Sequence, residues 1–229
     1  TLTPFQRGFF CYDESLLHPY KSSTVKVTVL YCVGFSIPIV TLIIVCKQKI
    51  AKSANYQRLI LTKWVKMWLP ILIFFFFGAA LNHLLTNIAK YTLGRLRPHF
   101  LTVCQPDYAL FNCSMGIIEE NVCTGNLKLI KEARVSFPSG HASMITYTMM
   151  YALIYLEVRF TWRGLLLMKP LLQTMLFCIA YYISMSRISD YKHHWSDVLG
   201  GSILGIIIAL VMVGNYLDLS DGMEMIKIE

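Results

Sequence analysis

Between Ser186 and Asp197 the chain reads Ser-Arg-Ile-Ser-Asp-Tyr-Lys-His-His-Trp-Ser-Asp, which sets a guanidinium, two imidazoles and two carboxylates between two apolar runs. His193 and Asp197 are one helical turn apart, so the spacing predicts that they face each other if the second run opens its helix here. An imidazole beside a carboxylate is a nucleophile or base with the acid that orients it. The plainer alternative is a set of polar side chains at a membrane surface. His194 has no separate task in this pattern and is assigned to the surroundings of the site.

Two further clusters could work with this one. In Lys90-Tyr-Thr-Leu-Gly-Arg-Leu-Arg97-Pro98 the residues Lys90 and Arg97 are seven apart, about two helical turns, which predicts that they share a side. Two fixed cations suit a phosphate dianion, Arg97 offering a bidentate fork and Lys90 a point charge. In Ser136-Phe-Pro-Ser-Gly-His-Ala-Ser143 an apolar run begins at about His141. A helix starting there would aim free amides and the positive end of its dipole at an anion beside Ser139, Gly140 and His141. Gly140 lets backbone approach a ligand closely, and Pro138 suits a first helical position.

The elements that must hold these clusters are membrane helices. With 55% hydrophobic and 15% charged residues, the chain is far from the soluble balance of about 25% charged. A net charge of +8 is spread over short loops rather than gathered on a face, which argues for topology and against a nucleic-acid partner. Residues 1–24 read as a polar outer segment with no secretory signal pattern. Apolar runs at 27–46, 67–89, 141–158, 170–186 and 198–217 predict five spans, all helical, because only closed hydrogen bonding survives in lipid. The fold class is therefore all-α, a polytopic membrane protein with one domain over residues 1–229. Lys47, Lys49, Lys52, Arg58, Lys63 and Lys66, with no acid among them, place the first loop in the cytosol by the positive-inside rule. Arg159, Arg163 and Lys169 mark a second cytosolic loop. Residues 90–140 then form an outer loop, and all three charged clusters fall on the outer face. Ionisable residues bordering spans are costly and mark function.

Together, Lys-x6-Arg-Pro, Pro-Ser-Gly-His and Ser-Arg-x5-His-x3-Asp resemble the signature of the type 2 phosphatidic acid phosphatase superfamily. Residues 87–100 and 184–201, with Phe5 to Cys11 and Asp13-Glu14-Ser15, are similar to the lipid phosphate phosphatases of animal cells. That family has six spans, so the resemblance implies a chain lacking the first and opening in what looks like the first outer loop. It also implies roles. His193 attacks phosphorus to give a phosphohistidine, Asp197 fixes its tautomer, and His141 is the general acid and later the base. Lys90, Arg97 and Arg187, with Ser139 and the Gly140 amide, form the phosphate cradle.

No cofactor or metal is expected in that scheme, since three cations and a helix terminus take the place of a metal clamp. A zinc reading of His141, His193 and His194 lacks the closed set of ligands that zinc needs. Cys32, Cys46 and Cys178 fall in or near apolar spans, whereas Cys11, Cys104, Cys113 and Cys123 lie outside, where one or two bridges are expected with the pairing left open. Asn112-Cys113-Ser114 is a glycosylation sequon on the outer side.

The expected function is metal-independent hydrolysis of a lipid phosphomonoester at an outward-facing site. The resemblance implies phosphatidate, lysophosphatidate, sphingosine 1-phosphate or ceramide 1-phosphate as substrates, the plasma membrane as location, and room for a homo-oligomer. The alternatives are a phosphotransferase of the same superfamily and a non-catalytic protein that binds lipid phosphates.

Overall fold

The computed structural model describes residues 3–51, 60–119, 122–160 and 167–225. Among them, five long helices dominate: α1 (Val27–Ala51), α2 (Ile60–Leu93), α5 (Gly140–Arg159), α6 (Met168–Ser189) and α7 (Trp195–Met225). Two short ones, α3 (Phe100–Cys104) and α4 (Leu127–Ala133), sit in the loop after α2. Among the described residues, extended pairing is confined to the isolated bridges Phe9 to Ile118 and Pro106 to Cys123. The chain is thus helical throughout its membrane part.

Among the described residues, four stretches are long and apolar enough to cross a bilayer: Val27–Val45, Trp68–Leu93, Met168–Ser189 and Trp195–Leu219. The fifth expected span, 141–158, falls within α5, whose 20 residues reach about 30 Å. Its lower apolarity has a physical cause. α5 is the central helix, packed against α1, α2, α6 and α7, so its neighbours take the lipid contact and it is free to carry polar groups. Tyr147 and Tyr151 are completely buried and donate to the carbonyl oxygens of Phe75 (2.7 Å) and Ile71 (3.1 Å) on α2. A hydroxyl buried without a partner would cost about 1–3 kcal/mol, so these bonds set the register of α5 on α2.

Small residues bring α7 close to α5. A side chain at Gly201 would meet the Ser139 carbonyl oxygen at 2.6 Å, and one at Gly205 would meet that of Ser143 at 2.5 Å. The spacing Gly-x-x-x-Gly is the pattern by which membrane helices approach backbone to backbone. Here it draws the start of α7, and with it Asp197, against the start of α5.

Residues before α1 and between α2 and α5 build a cap with its own core, in which Phe9, Leu16, Leu96, Phe100, Leu101, Ile118 and Ile130 are buried together. Disulfides Cys11–Cys113 and Cys104–Cys123 select one pairing from those left open, and the first ties the segment before α1 to the long loop. Asn112 is exposed on this cap and its side chain accepts from the Ser114 amide. The expectation that the six-cation loop is cytosolic rests largely on Lys52, Arg58 and neighbouring side chains outside the described residues, as does Arg163 in the second loop.

Candidate active site

The ends of α1, α2, α5 and α6, with Glu132 of α4 and the loop residues Arg97, Lys192 and His193, line a cavity of about 280 Å³. Lys90, Arg97, Gly140, His141, Arg187 and His193 all line it, so the three sequence clusters do share one face. The geometry that joins them differs in places from the spacing argument.

Lys90 and Arg97 do not lie on one helix. α2 ends at Leu93, and Gly94 adopts a left-handed conformation (φ 53°) with the Phe5 backbone pressed so closely that no side chain would fit. Lys90 reaches the cavity from the last turn of α2, whereas Arg97 enters from the following loop, where its amide bonds the Ala133 carbonyl (2.8 Å). The Lys90 ammonium stands close to Gly140, where even a methyl group would crowd it at 3.1 Å. A side chain there would have to displace the ammonium by a few tenths of an ångström.

At that start, Ser139 is the N-cap, its hydroxyl accepting from the Ala142 amide at 3.5 Å, and Pro138 therefore precedes the cap instead of taking the first helical position. The Ser139 amide is already given to the Asp197 carbonyl (2.9 Å). Ser139 is fully buried and does not line the cavity, so its place is to hold the helix start rather than to face a ligand directly. Gly140 and His141 do face the cavity at the first turn, where amides have no partner within the helix. The His141 Nε2 atom is buried without a hydrogen-bond partner.

The turn from α6 to α7 is a Schellman motif. Tyr191 is left-handed (φ 53°), its amide bonds the Ile188 carbonyl (2.9 Å), and the Lys192 amide bonds that of Arg187 (3.1 Å). A tyrosine seldom adopts this conformation, and its surroundings hold it there. Its ring stacks on His18 at 4.5 Å, and its carbonyl oxygen lies 2.7 Å from His99 Nδ1. The motif turns Lys192 and His193 toward the cavity. α7 then opens at Trp195, with the Asp197 carboxylate reaching back to the His194 amide (2.9 Å).

His193 and Asp197 consequently do not sit on one helical turn, and the carboxylate is 3.9 Å from His193 Nδ1. Ser136 lies between them. Its hydroxyl is 2.6 Å from Asp197 Oδ2, to which it donates, and 3.4 Å from His193 Nδ1. With the Ser136 proton committed to the carboxylate, the consistent arrangement has Nδ1–H donating to Ser136 and leaves Nε2 unprotonated. Asp197 is fully buried and receives three further contacts: Arg95 at 2.6 Å, the His194 amide, and His194 Nδ1 at 3.2 Å. A buried carboxylate needs such compensation.

Two of the cations are already paired. Arg97 bonds Glu132 at 2.9 Å, and Arg187 bonds Asp190 at 2.6 Å, which in turn accepts from the Thr24 amide and hydroxyl at 2.8 and 2.6 Å. Through Thr24 the segment before α1 is part of the site. Burial pushes the His193 imidazole down to about 3; Asp197 opposes this and Arg97 adds to it. The ring is thus neutral at physiological pH.

Ser136, Arg95, Glu132, Lys192 and Thr24 were not assigned from sequence. Ser136 adjoins the Pro-Ser-Gly-His cluster and Arg95 lies within the Lys-x6-Arg-Pro cluster, so proximity to a motif was the available signal. Glu132 and Thr24 carry no such signal. Among the described residues, no group of three or more His, Cys, Asp or Glu side chains is placed to hold a metal ion.

Comparison with known proteins identifies the family. Residues 71–220 match the model of the PAP2 superfamily. The chain is 44% identical to a Drosophila melanogaster protein provisionally named a phosphatidate phosphatase, over 94% of the chain and 62% of that protein. It is 41% identical to phospholipid phosphatase 1 of Rattus norvegicus over 92% of the chain and 75% of the relative. Against phospholipid phosphatase 2 of Homo sapiens the identity is 38%, over 92% and 73%. The chain therefore spans somewhat under two thirds of the fly protein and about three quarters of the mammalian ones. No solved structure gives a significant match. With its three motifs converging on one cavity among membrane helices, the chain belongs to the PAP2 superfamily, and within it to the phospholipid phosphatases, a family of membrane hydrolases.

Proposed function

We propose that this chain hydrolyses the phosphomonoester of a membrane lipid, with phosphatidate, lysophosphatidate, sphingosine 1-phosphate and ceramide 1-phosphate as the candidate substrates, through a phosphohistidine on His193. The observation that carries the reading is the buried, neutral His193 oriented through Ser136 toward Asp197, on a cavity it shares with Lys90, Arg97, Arg187 and His141. Nε2 attacks phosphorus while the positive charge that develops on the ring is balanced through Ser136 and Asp197. The cations and the start of α5 receive the charge on the phosphoryl oxygens, in the preorganised manner that usually supplies the largest share of catalysis.

His141, with its unpartnered Nε2 beside the cavity, protonates the leaving alkoxide and then takes a proton from the water that opens the phosphohistidine. Ser139 acts by capping α5 and fixing Gly140 and His141. The apolar residues Val27, Leu30 and Tyr31 of α1 line the same cavity as the cations, which suits a headgroup attached to lipid chains. The site faces the extracellular or luminal side, at the plasma membrane, with Asn112 glycosylated on the same face.

The test is phosphate release from a panel of the four lipid phosphates by purified protein in mixed micelles, with and without EDTA. Release unaffected by EDTA supports the reading. Strict dependence on added metal would overturn the cation cradle, and binding of lipid phosphates without release would favour the non-catalytic alternative.

A further inference from the structure

We propose that Lys192 is a further phosphate-binding residue, taking the second negative charge of a phosphomonoester dianion and so favouring monoesters over singly charged diesters. The inference rests on the phosphomonoester reading above and adds a residue to its binding site. Lys192 lines the cavity, yet only 5% of its surface is exposed. The ammonium lies 3.8 Å from the centre of the Tyr20 ring, and no carboxylate among the described residues pairs with it. A cation–π contact recovers only part of what burying an ammonium costs, so a counter-ion from outside the chain is the missing partner.

The charge balance of the cavity points the same way. Glu132 already neutralises Arg97, and Asp190 neutralises Arg187. Among the described residues, the cavity-lining cations that have no carboxylate partner are Lys90 and Lys192, two positive charges for the two negative charges of a phosphomonoester. Lys192 cannot retreat far, because its amide is fixed to the Arg187 carbonyl and its side chain lies against Tyr20. A diester monoanion would leave one of the two lysines uncompensated.

Binding is read as the thermal shift of the purified full chain in detergent, at about pH 8, above the second ionisation of a phosphate monoester near 6. The two probes are inorganic phosphate, mainly a dianion there, and dimethyl phosphate, a monoanion. Lys192→Met should weaken inorganic phosphate by about 10- to 100-fold, the worth of one charge-assisted hydrogen bond, and Lys192→Arg should recover most of that loss. Dimethyl phosphate should change by less than about threefold. If the methionine variant does not fold, Lys192→Gln carries the same expectations. Undiminished phosphate binding in the neutral variant, or equal loss of both anions, would overturn the assignment. Lys192-dependent phosphate binding by a chain that releases no phosphate from lipid would keep this assignment and overturn the hydrolase reading. A parent chain that binds no phosphate would overturn both.

Discussion

His193 and Asp197 are joined through a third residue: Nδ1 of the imidazole stands 3.9 Å from Oδ2 of the carboxylate, with the Ser136 hydroxyl 2.6 Å from the carboxylate and 3.4 Å from the ring. The carboxylate can orient the imidazole only as well as Ser136 transmits it. Ser136→Ala should therefore lower turnover on phosphatidate by about 10- to 100-fold, corresponding to the loss of a buried hydrogen bond to a charged network. Ser136→Thr, which keeps the hydroxyl, should recover part of it. Steady-state kinetics on the two variants decide the point, and an alanine variant with parental turnover would show that Ser136 does not orient the ring.

Acid should loosen the fold through its buried histidines, two of which lie outside the spans. Burial lowers His99 to about 4 and His193 to about 3, from an unfolded value of about 6.5. A group whose folded pKa is lowered binds fewer protons when folded, so the stability it supports is present above about 6.5 and diminishes as pH falls toward 4 and 3. The melting temperature in detergent should drop across that window. His99→Asn, which can still donate to the Tyr191 carbonyl, should flatten the drop. A variant whose melting curve follows the parent's at every pH would contradict the assignment to His99.

The Cys11–Cys113 bridge closes a separation of 102 residues and holds the segment before α1 that supplies Thr24 to Asp190 and Tyr20 to Lys192. Replacing both cysteines by serine should cost about 2–5 kcal/mol of stability. It should also raise KM more than it lowers kcat, because the segment borders the cavity without touching His193. Thermal melts and steady-state kinetics test the two effects separately, and a bridge-free variant with parental KM would detach the segment from substrate binding.

Topology and modification are read together. Asn126 lies in the cap and Lys169 at the far end of α6, so tags at the two positions should label from opposite sides of the membrane. Asn112→Gln should remove the mass of one glycan from protein expressed in secretory membranes. Labelling of both tags from one side would overturn the outward-facing site, and an unchanged mass would remove Asn112 from the modified residues.

The helical spans and the shared face were legible because a stretch long and apolar enough to cross lipid has only one regular fold available. α5 was legible as an element but not as the centre of the bundle, since burial among helices leaves no mark beyond a lower apolarity. Residue spacing misled where the helix had already ended. Lys90 and Arg97 do share the cavity, but by way of the turn at Gly94, and the helix of Asp197 begins two residues after His193. Ser136, Glu132 and Thr24 depend on contacts between segments far apart in sequence, which periodicity within one segment cannot show.

The central claim is that His193 carries the phosphoryl group while His141 only moves protons. The most direct measurement is quenching of the enzyme in alkaline denaturant during turnover of an aryl phosphate of low leaving-group pKa, followed by peptide mapping, at alkaline pH, of the acid-labile phosphate. His141→Ala should accumulate that phosphate on His193, because the first step no longer needs the acid and the second still needs the base; general acid catalysis is worth about 10² to 10⁴-fold, which sets the scale of the rescue. His193→Ala should form none. Phosphate found on His141 or His194, or formed at all in the His193→Ala chain, would contradict the account.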